Sequence, residues 1–382
     1  MLGAGAMGRI AARDFVETAP TGSMLVVADA DAEVAARVTR ALPRRRGVVL
    51  RPASVDAAQP RRVAALLTSV GAFAIINATH HRFNITVMEA ALAAGAHYCD
   101  LGGLFHQTRA QLRQHAAWTR ADRLALVGIG AAPGIVNVLA RSAADTMEVV
   151  REIHVAVGGI DRTRGRPRSP FGVSYSIRTL FEEAAAPAAV FTRGRLQFVP
   201  PMSGAQDVRF PSPVGWQTPV LTLHSEVATL PRSYRGKGIR ECSFRIAFPR
   251  QTIERLAFLR EMDLLSSECV VAAIQRATPP PWRGIPNEYE ILRLVIRGRR
   301  NHAAVEETVD CHVRGNRRWR AGIDIDTGCP PSIAVQMLAR GEITARGVVP
   351  PEQAIPAEAF FRELRRRGMR IRRRRRPWSS PG

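Results

Sequence analysis

Apolar and polar positions alternate in two rhythms along this chain, and the rhythm changes near residue 130. After the run Gly3-Ala4-Gly5-Ala6-Met7-Gly8, apolar residues recur at helical spacing as far as Val16. A short apolar stretch, 24–28, ends at Asp29, and 32–42 returns to the helical period. Apolar runs at 48–50, 72–77, 97–100 and 124–128 read as strands, with helical segments 61–69, 84–94 and 109–121 between them. These assignments rest on period: a helix repeats its apolar face every three to four residues, a strand every two. Strands and helices in alternation predict an α/β fold with a doubly wound parallel sheet and right-handed crossovers.

Beyond Ala131-Ala132-Pro133-Gly134 a helix is predicted over 135–144, and longer strands follow over 151–158, 190–199, 220–224, 241–248, 289–297 and 306–314. Residues 298–303 separate the last two as a hairpin would. This is a second α/β domain on a mixed or largely antiparallel sheet, with helical insertions near 177–183 and 250–264. Pro279-Pro280-Pro281 can neither continue a helix nor pair as a central strand, so it reads as a linker. Helices are predicted at 332–340 and 357–367, around a proline-containing stretch at 348–356. The expected organisation is a nucleotide domain over 1–130, a substrate and dimerisation domain over 131–326, a C-terminal segment over 327–368, and a disordered Arg-rich tail over 369–382.

Composition narrows the class. A chain of 382 residues exceeds what one core usually serves, so two domains are expected. No apolar run approaches the roughly 18–20 residues needed to cross a bilayer, and the N-terminus lacks a signal-peptide pattern. The five cysteines are scattered without a CxxC pair, which disfavours a disulfide scaffold or a thiolate zinc site. Histidines at helical i, i+4 spacing beside acids are missing too, so no metal is expected, and the cytoplasm is the expected compartment. The net charge of +22 invites a nucleic-acid partner. Yet Lys237 is the only lysine, so the charge reflects a bias toward arginine, and the Phe360–Gly382 stretch alone carries +9 of it. No aromatic stacking pattern accompanies the arginines, which disfavours nucleic acid.

The opening run fits GxGxxG, with a helix directly after it and Asp29 about twenty residues on. In a Rossmann domain Gly3 permits the tight turn, Gly5 admits the pyrophosphate, and Gly8 lets helix and sheet pack closely. Backbone N–H groups at Gly5, Ala6, Met7 and Gly8 would hold phosphate at the positive helix end. Asp29 would accept hydrogen bonds from the adenosine ribose and repel a 2′-phosphate, and Asp31 adds to that repulsion. NAD is therefore the expected cofactor, with NADP disfavoured. Only Met1 and Leu2 precede Gly3 where a full strand is expected, so the first strand is read as truncated, and a start assigned too far downstream accounts for it.

The chain resembles the saccharopine dehydrogenase-like oxidoreductases, in particular their lysine 6-dehydrogenase-like branch, from Gly3 to about Gly368. The resemblance rests on the glycine run, Tyr98-Cys-Asp-Leu-Gly-Gly103, Gly130-Ala-Ala-Pro-Gly-Ile-Val-Asn137, Leu223-His-Ser-Glu-Val-Ala-Thr-Leu-Pro231 and Thr327-Gly-Cys-Pro-Pro331. It implies a Rossmann domain, a second domain giving substrate contacts and usually a homodimer interface, and a C-terminal segment packed on the nucleotide domain. It also implies nicotinamide-dependent chemistry at a carbon–nitrogen bond of a small amino-acid substrate. A carboxyalkyl-polyamine dehydrogenase and a non-catalytic nucleotide-binding protein are the alternatives.

Ligands of a doubly wound sheet lie beyond the carboxyl ends of its strands. Asn77, Thr79 and His80 follow one strand; Asp100, Gly102 and Gly103 follow the next. His80 and His81 are adjacent and expected to point apart. Hydride removal from a C–N carbon needs a neutral amine, hence a general base. Asp100, His224, Glu226 and His80 are the candidates, while a lone Lys237 disfavours a Schiff base. His224 and Glu226, two apart on a strand-like segment, are expected to share one face, either for catalysis or as a structural pair. Arg178 is the candidate fork for a substrate carboxylate, and Tyr175 and Glu182 the candidate contacts to substrate ammonium groups.

Overall fold

The computed structural model describes residues 1–167, 170–172, 175–277 and 284–379, so the Pro279–Pro281 linker lies outside the described residues. The chain divides into two units, Met1–Arg141 with Ile325–Arg367, and Ser142–Asp324 with Gly368–Gly382. Among the described residues no helix is long and apolar enough to cross a membrane.

The first unit is a parallel sheet in the order Val48–Ser54, Ser23–Asp29, Leu2, Ala74–Asn77, His97–Asp100, Leu124–Leu126, Gly347–Val349. Strands such as His97–Asp100, Leu124–Leu126 and Gly347–Val349, buried throughout, need helices on each side, while the edge strand Val48–Ser54 stays partly exposed. Helix Ala6–Thr18 buries Ala11, Ala12 and Val16. Helix Ala32–Ala41 starts where Asp31 accepts from Glu33 N and Val34 N. The segment predicted as one helix over 109–121 is two, Leu104–Leu112 and His115–Arg120. The order reverses at Leu2: the chain runs first to Ser23–Asp29 on one side, then to Ala74–Asn77 on the other, which makes a switch point at the glycine turn.

The C-terminal part of this unit adds strand Gly347–Val349 and helix Ile325–Ala339. That helix begins seven residues before the predicted start at 332, because Pro330 and Pro331 are tolerated inside it. Its close packing is the compensation: a Cβ on Gly328 would fall 2.6 Å from Ile10 on helix Ala6–Thr18. Arg367 then reaches Asp14 of that same helix through two hydrogen bonds of 2.6 and 2.9 Å.

The second unit carries an eight-stranded mixed sheet. Strand Val149–Asp161 lies parallel to Glu241–Ile246 and antiparallel to Glu288–Arg300, which pairs in a hairpin with Ala303–Arg314. A bulge sits at Gly298, where a Cβ would fall 2.0 Å from the Val149 carbonyl oxygen. The segment predicted as one strand over 190–199 is a hairpin, Ala188–Thr192 and Arg195–Val199, turning at Arg193 and Gly194, both with positive φ. Helices Ile177–Ala185, Arg250–Glu261 and Glu268–Ala277 share an apolar cluster around Leu180, Phe181, Leu256 and Val271. The last of these was not legible because its paired valines are as compatible with a strand. The tail expected to be disordered is a strand, Arg370–Pro377, paired antiparallel with Ala303–Arg314. Buried Glu307 and Glu306 explain it: Arg375 and Arg376 reach them at 2.8 Å each.

Candidate active site

Gly3 has φ +93°, and a Cβ there would lie 2.8 Å from the Ala78 carbonyl and 2.9 Å from the Thr79 nitrogen. Only glycine lets the turn rest against the end of strand Ala74–Asn77. A Cβ on Gly8 would fall 1.9 Å from the Gly3 oxygen, so Gly8 lets the helix start directly under the turn. Gly5 differs, since nothing lies within 4 Å of where its Cβ would be. It is the N-cap of helix Ala6–Thr18, and no side chain caps that end. Open space over an uncapped helix N-terminus suits a phosphate, so the backbone at Gly5, Ala6 and Met7 fits a dinucleotide's pyrophosphate.

Half-buried Asp29 closes the turn from the other side. Its Oδ2 accepts from Ala4 N at 2.8 Å and its Oδ1 from Asp31 N at 3.1 Å. A carboxylate accepts about four hydrogen bonds, so capacity remains for two ribose hydroxyls. Asp31 commits Oδ1 to capping the next helix.

The strand ends beyond the switch point are tied together. Asn77 is buried; its Nδ2 donates to Asn84 Oδ1 at 3.0 Å, and its Oδ1 accepts from Thr79 Oγ1 at 2.7 Å. Asp100 accepts from Tyr98 Oη at 2.9 Å, Gln111 Nε2 at 2.5 Å, Gly102 N at 2.9 Å and Gly128 N at 2.7 Å. Burial pushes its carboxyl above the usual range against the pull of those donors. Asp100, one of the candidate bases read from the sequence, thus has its acceptor positions used within the chain, where they tie the strand ends together. Gly102 has φ +129°, and Pro133 fills the space over it, 2.9 Å from where a Cβ would be. The Gly102 conformation thus serves packing against Pro133, while a Cβ on Gly103 would crowd Asn84 at 3.0 Å. His80 Nδ1 accepts from Arg82 N at 3.3 Å, and its ring lies 4.3 Å from that of His81, so the two rings do not diverge.

In the second unit His224 and Glu226 do not share a strand face. The strand is only Val220–Leu221, and Glu226 opens helix Glu226–Ser233, which contains Pro231. The two side chains nevertheless meet, His224 Nδ1 on Glu226 Oε2. Glu226 is fully buried, and its Oε1 finds no hydrogen-bond partner among the described residues. The His224 ring stacks on Phe244 with centroids 3.7 Å apart and planes 9° apart. Burial disfavours the imidazolium, but Glu226 and then Glu183 outweigh it, so the His224 pKa is raised. A carboxylate on Nδ1 holds the hydrogen there and leaves Nε2 as the proton acceptor.

Tyr175 Oη donates to Glu183 Oε2 at 3.1 Å, so the acid beside this tyrosine is Glu183, not Glu182. Arg178 does not offer a free fork: Glu268 takes both of its terminal nitrogens, Nη2 at 2.6 Å. Lys237 Nζ donates to the Ala144 and Met147 carbonyls at 2.5 and 2.8 Å, a structural use of the sole lysine. Sequence reasoning missed Glu183 and Phe244. Glu183 had a signal, since it lies three residues after Leu180 on the buried stripe of its helix. Phe244 had none, because its partner His224 comes from a separate segment.

A parallel sheet reversing at a glycine turn, with an acid at the end of the adjoining strand, defines a dinucleotide-binding domain; here it accompanies a mixed-sheet domain. Residues 1–128 match the saccharopine dehydrogenase NADP binding domain, and residues 130–369 the saccharopine dehydrogenase C-terminal domain. The chain belongs to the saccharopine dehydrogenase family of oxidoreductases, whose cofactor is a nicotinamide dinucleotide. It is similar to the carboxyaminopropylagmatine dehydrogenase of Synechocystis sp., 21% identical over 350 residues that cover 84% of each protein. It shares the fold of apo saccharopine dehydrogenase (L-Glu forming) from Saccharomyces cerevisiae, with TM-score 0.71, 13% identity and 98% of each chain covered.

Proposed function

We propose that this chain is an NAD-dependent dehydrogenase acting on a carbon–nitrogen bond of an amino-acid substrate, with His224 and Glu226 as its acid/base pair. The observation that carries the reading is Asp29, anchored on Ala4 N beside the glycine turn. A carboxylate there suits two ribose hydroxyls and opposes a 2′-phosphate, because like charges in a partly desolvated cleft repel strongly. Bound nicotinamide supplies a hydride acceptor for the carbon next to nitrogen. The chain holds the pyrophosphate at Gly5 and its neighbours and takes a proton from the substrate ammonium at His224 Nε2. That deprotonation matters because only a neutral amine has the lone pair that expels hydride.

The likeness to carboxyaminopropylagmatine dehydrogenase favours a second substrate reading, a carboxyalkyl polyamine in place of lysine or another diamino acid. Buried Glu183 and Glu226 suit cationic nitrogen in either case. Following NADH absorbance over a panel of diamino acids and carboxyalkyl polyamines separates the two. Cofactor choice is tested by fluorescence titration with NAD and NADP. NAD is expected to bind more tightly, and Asp29→Ala to narrow the gap mainly by weakening NAD. Equal or tighter NADP binding by the unmutated protein would remove Asp29 from this role.

A further inference from the structure

Strand Arg370–Pro377 carries six arginines and no acid, and it lies at an outer edge of the second unit's sheet. Its inner neighbour, Ala303–Arg314, has three acids, and each is already committed. Glu307 pairs with Arg373 at 3.4 Å and with Arg375 at 2.8 Å. Glu306 accepts from Arg297 at 2.7 Å and from Arg376 at 2.8 Å. Asp310 accepts from Arg293 through both oxygens at 2.7 Å. Among the described residues this leaves the side chains of Arg370, Arg372 and Arg374 without an ion-pair or hydrogen-bond partner. All three are exposed and two residues apart, so one face of the strand presents a guanidinium about every 6.8 Å.

The backbone alternates in step with the side chains. Just past the strand, Trp378 N donates to Ala304 O at 3.1 Å. Counting back from there, Arg376, Arg374, Arg372 and Arg370 turn their N–H and C=O groups inward, whereas Arg375, Arg373 and Ile371 turn theirs to the outer edge. Pro377 falls at an outward position, where its missing N–H costs the ladder nothing. Among the described residues no strand pairs with that outer edge.

An open edge beside an uncompensated row of cations is selective about what joins it. A second copy of this strand would set arginine against arginine, and like charges directly opposite destabilise a pair. An acidic strand does the reverse, because its alternate carboxylates share the two-residue repeat of Arg370, Arg372 and Arg374. On the other face Glu307 already serves Arg373 and Arg375, and Ile371 is half-buried, so the intervening positions suit apolar side chains. We propose that this edge docks an extended peptide of alternating acidic and apolar residues, added to the sheet as an outermost strand. The arginine row supplies the preference for acids, and the open ladder supplies the requirement for a peptide backbone. A phosphodiester chain satisfies only the first.

The test titrates the full chain, by fluorescence anisotropy, with a labelled acetyl-Glu-Val-Glu-Val-Glu-Val-Glu amide. Binding is expected, weakening as salt rises because exposed pairs are screened. Replacing Arg370→Gln, Arg372→Gln and Arg374→Gln together should weaken it roughly tenfold, since three exposed ion pairs are lost. The melting temperature of that variant should match the parent, because these side chains hold no partner in the fold. A block isomer of equal charge, acetyl-Val-Val-Val-Glu-Glu-Glu-Glu amide, should bind clearly more weakly. With the alternating peptide at saturation, hydrogen exchange should slow roughly tenfold or more at the outward amides of Ile371 and Arg375. It should stay unchanged at the inward amides of Arg372 and Arg374. Absence of binding overturns the proposal, as do equal affinity for the block isomer, unchanged exchange at Ile371 and Arg375, or an unaffected triple variant. Tighter binding of an oligothymidylate of equal charge, lost in the same triple variant, would assign the row to nucleic acid and overturn the peptide reading.

Discussion

Gly3 and Gly5 belong to one turn but answer to different constraints. A methyl group at position 3 meets backbone on a left-handed φ, whereas one at position 5 meets open space. Gly3→Ala is therefore expected to lower the melting temperature and dinucleotide affinity together. Gly5→Ala should leave the melting temperature about unchanged while weakening the dinucleotide roughly tenfold or more, since its methyl enters the pyrophosphate space. Calorimetry and cofactor titration on both variants distinguish these outcomes; parallel losses in the two would show that Gly5 serves the fold alone. His224 yields a second expectation. Its pKa is raised in the folded state, so its stabilising contribution is fully present below the unfolded value, about 6.5, and is lost as pH rises through the folded one. Glu226→Gln removes the main charge that raises it, so the acidic limb of kcat/KM should move to lower pH. His224→Ala should cost ~10²–10⁴-fold in turnover with little change in NAD binding. A Glu226→Gln profile that overlays the original would refute this pairing. The glycines and Asp29 were legible because spacing alone marks them. The saturation of Asp100 was not, since its donors Gln111 and Gly128 are brought by other segments.

Among elements, helix Ala6–Thr18 is fixed by the C-terminal segment as much as by its own sheet. Arg367 and Asp14 form a bidentate pair with side chains only 5% and 0% exposed. Arg367→Met leaves the buried Asp14 carboxylate without its cation and should cost ~3–5 kcal/mol. The double variant Asp14→Leu with Arg367→Met should recover most of that loss, because no charge is then stranded. Urea unfolding of the three proteins checks this, and a single-variant cost below about 1 kcal/mol would contradict it. The same reasoning explains the tail. A run of arginines read alone is a solvated segment, but strand alternation sends Arg373 and Arg375 to one face and Arg376 to the other, toward Glu307 and Glu306. Those acids lie some seventy residues away, so the strand was invisible to any local window.

For the whole molecule, the second unit's long-stranded sheet is expected to join two copies of the chain, as the family resemblance implies. Light scattering at micromolar concentration should give about twice the single-chain 41.8 kDa. A mass near 41.8 kDa would exclude a dimer under those conditions. Separate nucleotide and mixed-sheet units were foreseeable from the glycine turn and the change of rhythm near residue 130, whereas the oxidoreductase class was what the family resemblance implied. The return of Ile325–Arg367 to the first unit followed only from the resemblance, because periodicity says nothing about which sheet a late strand joins.

The sequence by itself determined the alternation of elements, the glycine turn, the acid beyond the second strand and the family. Each is written locally, in spacing and in residues whose backbone freedom or charge has a single use. Tertiary structure decided which acids and histidines are available for chemistry. It saturated Asp100, closed the Arg178 fork with Glu268, and set His224 between Phe244 and Glu226. It also made a strand of the arginine tail and held prolines inside helix Ile325–Ala339. The reason is the same throughout: hydrogen-bond capacity, burial and charge compensation depend on partners distant along the chain, which no local pattern records.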